Sequence, residues 1–322
     1  MTYIMIVLSL VLLVTGANWL VDGSAAIARR YHISEYIIGA TIVGMGTSTP
    51  ELVVSVISAI EGHSDIAIGN VVGSNTFNVF LILGVTALMM PITYTRENIT
   101  RDIPINIGTS VAVIMLCIFS KVWRGEYGLG RFDGLLMLAL FALYLWGTLR
   151  SETHRQADGN EEGSTPTGCY RSTAVCILAI IGGLAGLIFG GDMFVDAASA
   201  IAREWGVSEA IIGLTIVAGG TSLPELVSSI IAVTKRKGQL ALGNIVGSNV
   251  FNLLLILGTA SVICPLTMGN ITFVDWGTML LSALALLIAS ATFTRRQLDR
   301  KDAACFLLIY AAYMVWLIVS LS

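Results

Sequence analysis

The chain has 322 residues, of which 55% are hydrophobic and only 12% are charged, and its formal net charge is −3. Soluble globular domains carry about 25% charged residues, so these proportions exclude a soluble protein. Because the net charge is small and no basic cluster is interleaved with aromatic residues, the sequence predicts no nucleic-acid partner.

Ten apolar segments follow one another along the chain, each bounded by charged or turn-forming residues. They lie near 3–28, 35–60, 66–90, 104–120, 133–149, 172–202, 209–234, 240–264, 272–292 and 303–321. A helix needs roughly 20 apolar residues to cross a bilayer, and the first and sixth segments are long enough to tilt or protrude. The prediction is an all-α polytopic membrane protein of ten transmembrane helices in a lipid bilayer, with no obligatory protein partner evident.

The longest polar stretch is SETHRQADGNEEGSTPTGCYR, residues 151–171. Its Ser, Thr, Gly and acidic residues are typical of a solvated linker, and it is too short to hold a folded domain. This linker divides the ten segments into two groups of five, within residues 1–150 and 172–322.

The two groups are related by an internal repeat. When residues 16–84 are placed on residues 190–258, 37 of the 69 positions are identical. The shared strings include GTS-x-PELV and GN-x-VGSN-x-FN, the latter followed by LILG. Because five is an odd number, the second group enters the membrane from the opposite side. The sequence therefore predicts an inverted-topology repeat, a recurrent plan of secondary transporters that places the substrate site near the midplane.

The basic residues give an independent measure of orientation, because cytoplasmic loops are enriched in Lys and Arg. One side of the predicted topology has the larger set: Arg29, Arg30, Arg96, Arg101, Arg150, Arg155, Arg171, Lys235, Arg236, Lys237, Arg295, Arg296, Arg300 and Lys301. The other side has only Lys121, Arg124, Arg131 and Arg203. This bias predicts that linker 151–171 is cytoplasmic and that both termini are outside. The shortness of the linker favours a prokaryotic inner (plasma) membrane.

Two glutamates interrupt the apolar segments at matching positions of the repeat, Glu51 and Glu225. At 1.5 Å per residue, Glu51 lies about 15 Å from the nearer end of segment 35–60, too far for its side chain to reach the interface. Placing an acidic residue at the bilayer centre costs roughly 2.5–3.5 kcal/mol on insertion scales. The sequence therefore predicts a compensating partner for each glutamate.

The residues before each glutamate supply further oxygen atoms. Thr47 and Ser48 lie four and three residues before Glu51, on the same face of a continuous helix. Pro50 lacks an N–H, so it frees a backbone carbonyl near Gly46 and favours a kink. The second repeat has the same residue types at the same spacing: Thr221, Ser222, Pro224 and Glu225.

The segment after each glutamate carries polar residues at every fourth position, and these share one helix face. They are Asn70, Ser74 and Asn78, and in the second repeat Asn244, Ser248 and Asn252. Such a face cannot contact lipid without leaving amide groups unpaired, so the sequence predicts that it points inward.

These groups offer oxygen atoms only, which hard cations such as calcium prefer. No Cys or His lies within these polar faces, so the softer transition metals are disfavoured. Two glutamates supply a charge of −2, which matches one divalent or two monovalent cations. Taken alone, the G-T-S-x-P-E string is also explained by a proline kink with a protonated glutamate, and the G-N-x-x-G string by a G-x-x-x-G helix-packing face. Because both strings recur in the same order in the two halves, a cation site is the favoured interpretation.

Asp22 and Asp196 also match across the repeat, and we interpret them as interfacial acids.

The paired G-T-S-x-P-E and G-N-x-x-G-S-N-x-F-N strings, in two inverted halves, resemble the cation/calcium exchanger superfamily, and most of all its prokaryotic sodium/calcium exchangers. The resemblance covers nearly the whole chain. It implies that the long first and sixth helices slide past a compact core of eight helices. It also implies that the second, third, seventh and eighth helices surround four cation sites.

Matched by motif position, the resemblance implies that Glu51 and Glu225 are the main calcium carboxylates. Hydroxyl, carbonyl or amide oxygens would come from the remaining motif residues: Gly44, Thr47, Ser48, Ser74, Asn78, Ala218, Thr221, Ser222, Ser248 and Asn252. The chain departs from the family pattern at Asn252, where characterised members often have an aspartate. This departure leaves the sodium stoichiometry and any proton coupling open.

The predicted function is a secondary antiporter, not an enzyme and without a cofactor, that exchanges cytoplasmic calcium for external sodium by alternating access. A calcium/proton or potassium-dependent exchanger on the same scaffold is the nearest alternative. A channel would need a continuous polar pore, whereas these polar residues cluster at mid-depth. An intramembrane hydrolase is disfavoured because the His residues lie in predicted loops, away from the central Ser and Thr groups.

Overall fold

The computed structural model describes residues 2–157, 172–206, 218–292 and 296–321. Within these residues, eight helices are long and apolar enough to cross a membrane, and a bent pair of helices forms a ninth span. The prediction of a helical membrane protein is thus confirmed. The predicted segment 209–234 is described only from residue 218 onward, and residues 207–217 lie outside the described part.

The helices of the first half are α1 Thr2–Arg30, α2 Glu35–Thr47, α3 Thr49–Ile60, α4 Ser64–Met89, α5 Ile103–Arg124 and α6 Arg131–Ala157. Those of the second half are α7 Thr173–Glu204, α8 Leu223–Thr234, α9 Gly238–Ile263, α10 Phe273–Thr292 and α11 Arg300–Leu321. A single helical turn, Ala218–Gly220, precedes α8. Helix α6 extends into the predicted linker as far as Ala157, and residues 158–171 lie outside the described part.

The span that contains Glu51 is broken directly before that residue. Helices α2 and α3 meet at Ser48 with a bend of 45°. Pro50 stands in the first turn of α3, where the absence of an N–H costs no helical hydrogen bond. Helix α8 likewise begins after Ser222 with a proline in its first turn. Both glutamates therefore occupy a helix N-terminal turn, where the helix dipole favours negative charge.

Within the residues that the structure describes, three helices widen locally to a π-helical hydrogen-bond pattern. These stretches are Gly39–Val43 in α2, Asn78–Leu83 in α4 and Asn252–Ile256 in α9, and a fourth, Asn98–Asp102, leads into α5. Such stretches are rare and are frequently found at functional sites. Two of them begin at residues predicted as cation ligands, Asn78 and Asn252.

Helices α4 and α9 form the centre of the protein. In the most apolar stretch of each helix, 72% of the α4 residues and 94% of the α9 residues are buried, compared with 33% in α1 and α7. Helix α9 approaches α2 so closely that a Cβ on Gly247 would collide with the backbone carbonyl of Ala40. The glycines of α9 therefore permit two backbones to pack in direct contact.

The long helices α1 and α7 pack mainly against each other. A Cβ on Gly16 would lie 2.8 Å from the carbonyl oxygen of Gly183, and a Cβ on Gly183 would lie 2.7 Å from that of Gly16. Small residues at such a seam let transmembrane helices approach closely. The two helices thus form a pair that is more exposed than the central helices.

In the described part of the chain, four two-residue strands pair the two halves. They are β1 Ile92–Thr93, β2 Gly128–Leu129, β3 Leu266–Thr267 and β4 Gln297–Leu298. Strand β1, which follows α4, pairs antiparallel with β4, which precedes α11. Strand β3, which follows α9, pairs antiparallel with β2, which precedes α6. Exchanging the two halves converts one pair into the other, as a two-fold relationship requires.

Candidate cation-binding site

The two glutamates are fully buried at the N-terminal turns of α3 and α8. Glu51 is 1% exposed and Glu225 is 0% exposed. Burying a carboxylate is costly unless other groups bind it, so the surrounding polar groups decide what the site can hold.

Each glutamate accepts a hydrogen bond from a serine of the opposite half. The Ser48 hydroxyl donates to Oε1 of Glu225 at 2.8 Å, and the Ser222 hydroxyl donates to Oε1 of Glu51 at 2.9 Å. Oγ of Ser222 also lies 3.1 Å from Oγ of Ser74 on α4. The expectation that Ser48 shares a helix face with Glu51 is therefore wrong. The break at Ser48 turns this hydroxyl toward the other half of the chain.

The two threonines make a second pair of contacts between the halves. The Thr47 hydroxyl lies 3.2 Å from Oδ1 of Asn244, and the Thr221 hydroxyl lies 3.4 Å from Oδ1 of Asn70. Asn70 in turn donates to the backbone carbonyl of Glu51 at 3.2 Å. Asn70 and Asn244 thus support the segments that carry the glutamates.

Gly44 lies where α2 crosses α9. The Ser248 hydroxyl donates to the Gly44 carbonyl at 3.2 Å, and a Cβ on Gly44 would lie 3.0 Å from the carbonyl oxygen of Asn244. Glycine at this position therefore lets the backbone of α9 approach. Of Ala218, the structure describes only its place at the start of the helical turn Ala218–Gly220.

Four asparagines at the crossing of α4 and α9 form a network that the sequence interpretation missed. Asn78 donates its side-chain amide to Oδ1 of Asn249 at 3.1 Å, and Asn252 donates to Oδ1 of Asn75 at 3.0 Å. Asn75 and Asn249 are the repeated asparagine of the G-S-N string, so the repeat itself contained a signal for them.

Four buried oxygens of these side chains have no hydrogen-bond partner among the described residues. They are Oε2 of Glu51, Oε2 of Glu225, Oδ1 of Asn78 and Oδ1 of Asn252. A buried polar atom without a partner costs about 1–3 kcal/mol, and more when it is charged. The four atoms form two matching pairs, one carboxylate and one amide oxygen from each half. Only acceptor oxygens remain free, which is the ligand type that a hard cation binds.

Among the described residues, no three His, Cys, Asp or Glu side chains come together as a metal-binding group. Within the described part of the chain, the acids of this cluster are therefore its two glutamates. Each of the following predicted residues makes a contact between the two halves, Asn78 and Asn252 within the asparagine network: Gly44, Thr47, Ser48, Glu51, Ser74, Asn78, Thr221, Ser222, Glu225, Ser248 and Asn252. Their roles as cation ligands stay a prediction.

The predicted interfacial acids lie apart from this cluster. Asp22 on α1 forms an ion pair with Lys235, which follows α8, at 2.8 Å. Asp196 is exposed on α7. A nearby ion pair of 2.8 Å joins Lys237 to Glu35 at the start of α2.

A helical membrane protein with a buried oxygen cluster shared between two repeated halves has the organisation of a secondary transporter. The chain belongs to the sodium/calcium exchanger protein family, whose family model matches residues 1–150 and 175–319. It is accordingly a membrane antiporter of the cation/calcium exchanger superfamily.

Relatives match the chain along nearly its whole length. The sodium/calcium exchanger MaX1 of Methanosarcina acetivorans is 30% identical, over 97% of both chains. The inner membrane protein YrbG of Escherichia coli is 31% identical, over 97% of this chain and 94% of its own. A structure of the sodium-calcium exchanger NCX_Mj soaked with 10 mM Na+ and zero Ca2+ has a TM-score of 0.81 at 30% identity and covers 98% of both chains.

Proposed function

We propose that this protein exchanges calcium for sodium across the membrane by alternating access, with both ions bound at the cluster around Glu51 and Glu225. The observation that carries the proposal is the matched set of four buried oxygens without partners, two from carboxylates and two from amides. A single calcium ion prefers six to eight oxygens, and the Ser and Thr hydroxyls beside the glutamates supply the remainder.

Exclusive occupancy couples the two fluxes. Two ionised glutamates give a charge of −2, which one calcium ion or two sodium ions balance. Because both loads need the same oxygens, binding of one displaces the other. An antiporter needs this exclusion, since a site that held both ions at once would transport them together.

The proposed architecture is ten transmembrane helices in two inverted halves, residues 1–150 and 172–322, joined by linker 151–171. The reciprocal serine and asparagine bonds and the exchanged strand pairs support this plan. The proposed orientation places the linker in the cytoplasm and both termini outside, as the bias of Lys and Arg favours. The prokaryotic relatives, one of them named as an inner membrane protein, support a prokaryotic inner membrane.

A calcium/proton or potassium-dependent exchanger is the second candidate. Asn252 leaves this alternative open, because it supplies an amide and no third acid at the crossing of α4 and α9. An amide takes up no proton, so proton coupling would fall on the two glutamates. Exchange of calcium for sodium is supported by the relatives that are named as sodium/calcium exchangers.

The test is calcium uptake by proteoliposomes loaded with sodium, potassium or buffer, with the external pH varied separately. We expect uptake that requires internal sodium, and we expect Glu51→Gln and Glu225→Gln each to abolish it. Glu61→Gln, which changes an exposed glutamate after α3, is the matched control and should transport like the wild type. Robust sodium-driven uptake by either buried-site variant would refute the proposed site, and uptake driven by pH without sodium would favour the second candidate.

A further inference from the structure

We propose that Asn75 and Asn249, which have no unpartnered oxygen of their own, are positioning residues that turn the amide oxygens of Asn252 and Asn78 toward the transported cation. This inference rests on the proposed cation transport at the same cluster. It assigns to the first asparagine of each G-S-N-x-F-N string a task separate from cation ligation.

The chain of contacts begins at two backbone carbonyls. The side-chain amide of Asn75 donates to the carbonyl of Asn249 at 3.1 Å, and that of Asn249 donates to the carbonyl of Asn75 at 3.5 Å. A backbone carbonyl only accepts hydrogen bonds, so it must face the NH2 end of each side chain. The opposite end of each side chain, Oδ1, then points the other way.

These two oxygens determine the orientation of the next amides. Oδ1 of Asn75 accepts from Asn252 at 3.0 Å, and Oδ1 of Asn249 accepts from Asn78 at 3.1 Å. The NH2 ends of Asn78 and Asn252 are thereby engaged in hydrogen bonds. Their own Oδ1 atoms are left buried and without a partner among the described residues.

Burial makes the alternative orientation costly. All four side chains are at most 2% exposed, so water cannot satisfy a rotated amide. If Asn252 were rotated by half a turn, its oxygen would face Oδ1 of Asn75 and two acceptors would meet without a proton between them. Its NH2 group would then face the cation and repel it. The asparagine pair thus keeps an oxygen at each ligand position.

An amide at position 252 suits this chain for the same reason. An ionised aspartate there would set a carboxylate oxygen against Oδ1 of Asn75, which the Asn249 carbonyl holds in place. Asn75 and Asn252 are therefore matched to each other as acceptor and donor.

The test is calcium binding by the purified full-length protein, measured by calorimetry, together with the KM and maximal rate of calcium uptake in proteoliposomes. Losing one orienting hydrogen bond to a cation ligand should weaken binding about tenfold. We expect Asn75→Leu and Asn249→Leu to raise the Kd and KM for calcium by that factor, with the maximal rate changed less than about threefold. Asn75→Ala makes the same test without added bulk if leucine prevents folding.

Asn98→Leu is the control, because Asn98 is also 2% exposed and donates to Asp102 at 3.1 Å, outside the cluster. It should lower the melting temperature and leave the Kd for calcium unchanged. A double-mutant cycle gives the decisive readout. If Asn75 acts through Asn252, adding Asn75→Leu to Asn252→Leu should cause no further loss of affinity.

The outcomes separate this inference from the proposed function. Wild-type exchange with an unchanged Kd in the Asn75 and Asn249 variants, or additive losses in the cycle, would overturn the positioning role alone. Calcium binding that weakens as expected in a protein without sodium-driven exchange would overturn the proposed coupling alone. A wild-type protein that binds neither calcium nor sodium would overturn both.

Discussion

The Ser48 hydroxyl donates to the Glu225 carboxylate at 2.8 Å, and this bond joins the two halves of the chain at the centre of the membrane protein. Its counterpart runs from Ser222 to Glu51. Each half therefore supplies one glutamate and the hydroxyl that binds the glutamate of the other half. Both carboxylates therefore depend on a contact between the two halves.

Removing either crossing hydroxyl should weaken cation binding. Hydrogen bonds to charged groups contribute about 1.5–3 kcal/mol, so Ser48→Ala and Ser222→Ala should each raise the KM for calcium uptake roughly tenfold or more. The matched control is Ser261→Ala, since Ser261 is equally buried but donates within its own helix to Leu257. A KM for Ser48→Ala or Ser222→Ala within twofold of the wild type would contradict a role of these hydroxyls in cation binding.

Calcium should stabilise the folded protein through the same cluster. A ligand present at 100 times its Kd stabilises the native state by about 2.7 kcal/mol. We expect the melting temperature of the detergent-purified protein to rise with added calcium and to fall when a chelator removes it. Glu225→Gln should abolish the rise, because the site then has half its negative charge. An undiminished rise in that variant would place the stabilising ion elsewhere.

The crossing of α2 and α9 should tolerate no side chain at Gly247. A methyl group there would collide with the Ala40 carbonyl, and overpacking of this kind costs about 1–3 kcal/mol or more. Gly247→Ala should therefore lower the thermal stability and the uptake rate. Gly277→Ala on α10 is the control, because a Cβ at Gly277 meets nothing within 4 Å. Equal stability of the two variants would show that the close approach is not required.

The ion pair between Asp22 and Lys235 should contribute little to transport. The two side chains are 38% and 26% exposed, and exposed ion pairs typically contribute about 0.2–1 kcal/mol. Asp22→Asn should leave the KM for calcium unchanged and alter the uptake rate less than about threefold, with a smaller difference in high salt. Loss of uptake in Asp22→Asn would mean that Asp22 takes part in ion movement and is more than an interfacial acid.

Much of the fold was predictable because the signals are local. Long apolar segments define spans without reference to the rest of the chain. The described helices follow the predicted segments within a few residues, except that α6 continues to Ala157, beyond the predicted end at 149. The repeat placed Glu51 and Glu225 in equivalent positions before any contact was known. Pro50 also predicted the break, since a missing N–H acts on its own helix whatever surrounds it.

What the amino-acid order established alone is therefore the number and nature of the polar groups: two buried acids, their hydroxyls and a repeated row of amides. The folded chain decided how those groups pair. Ser48 binds the distant Glu225 and not Glu51, three residues away, because the helix is interrupted and bends between α2 and α3. Likewise, only the crossing of α4 and α9 shows that Asn75 binds Asn252. Hydrogen-bond partners depend on distance and direction in space, and neither can be read from spacing along the chain.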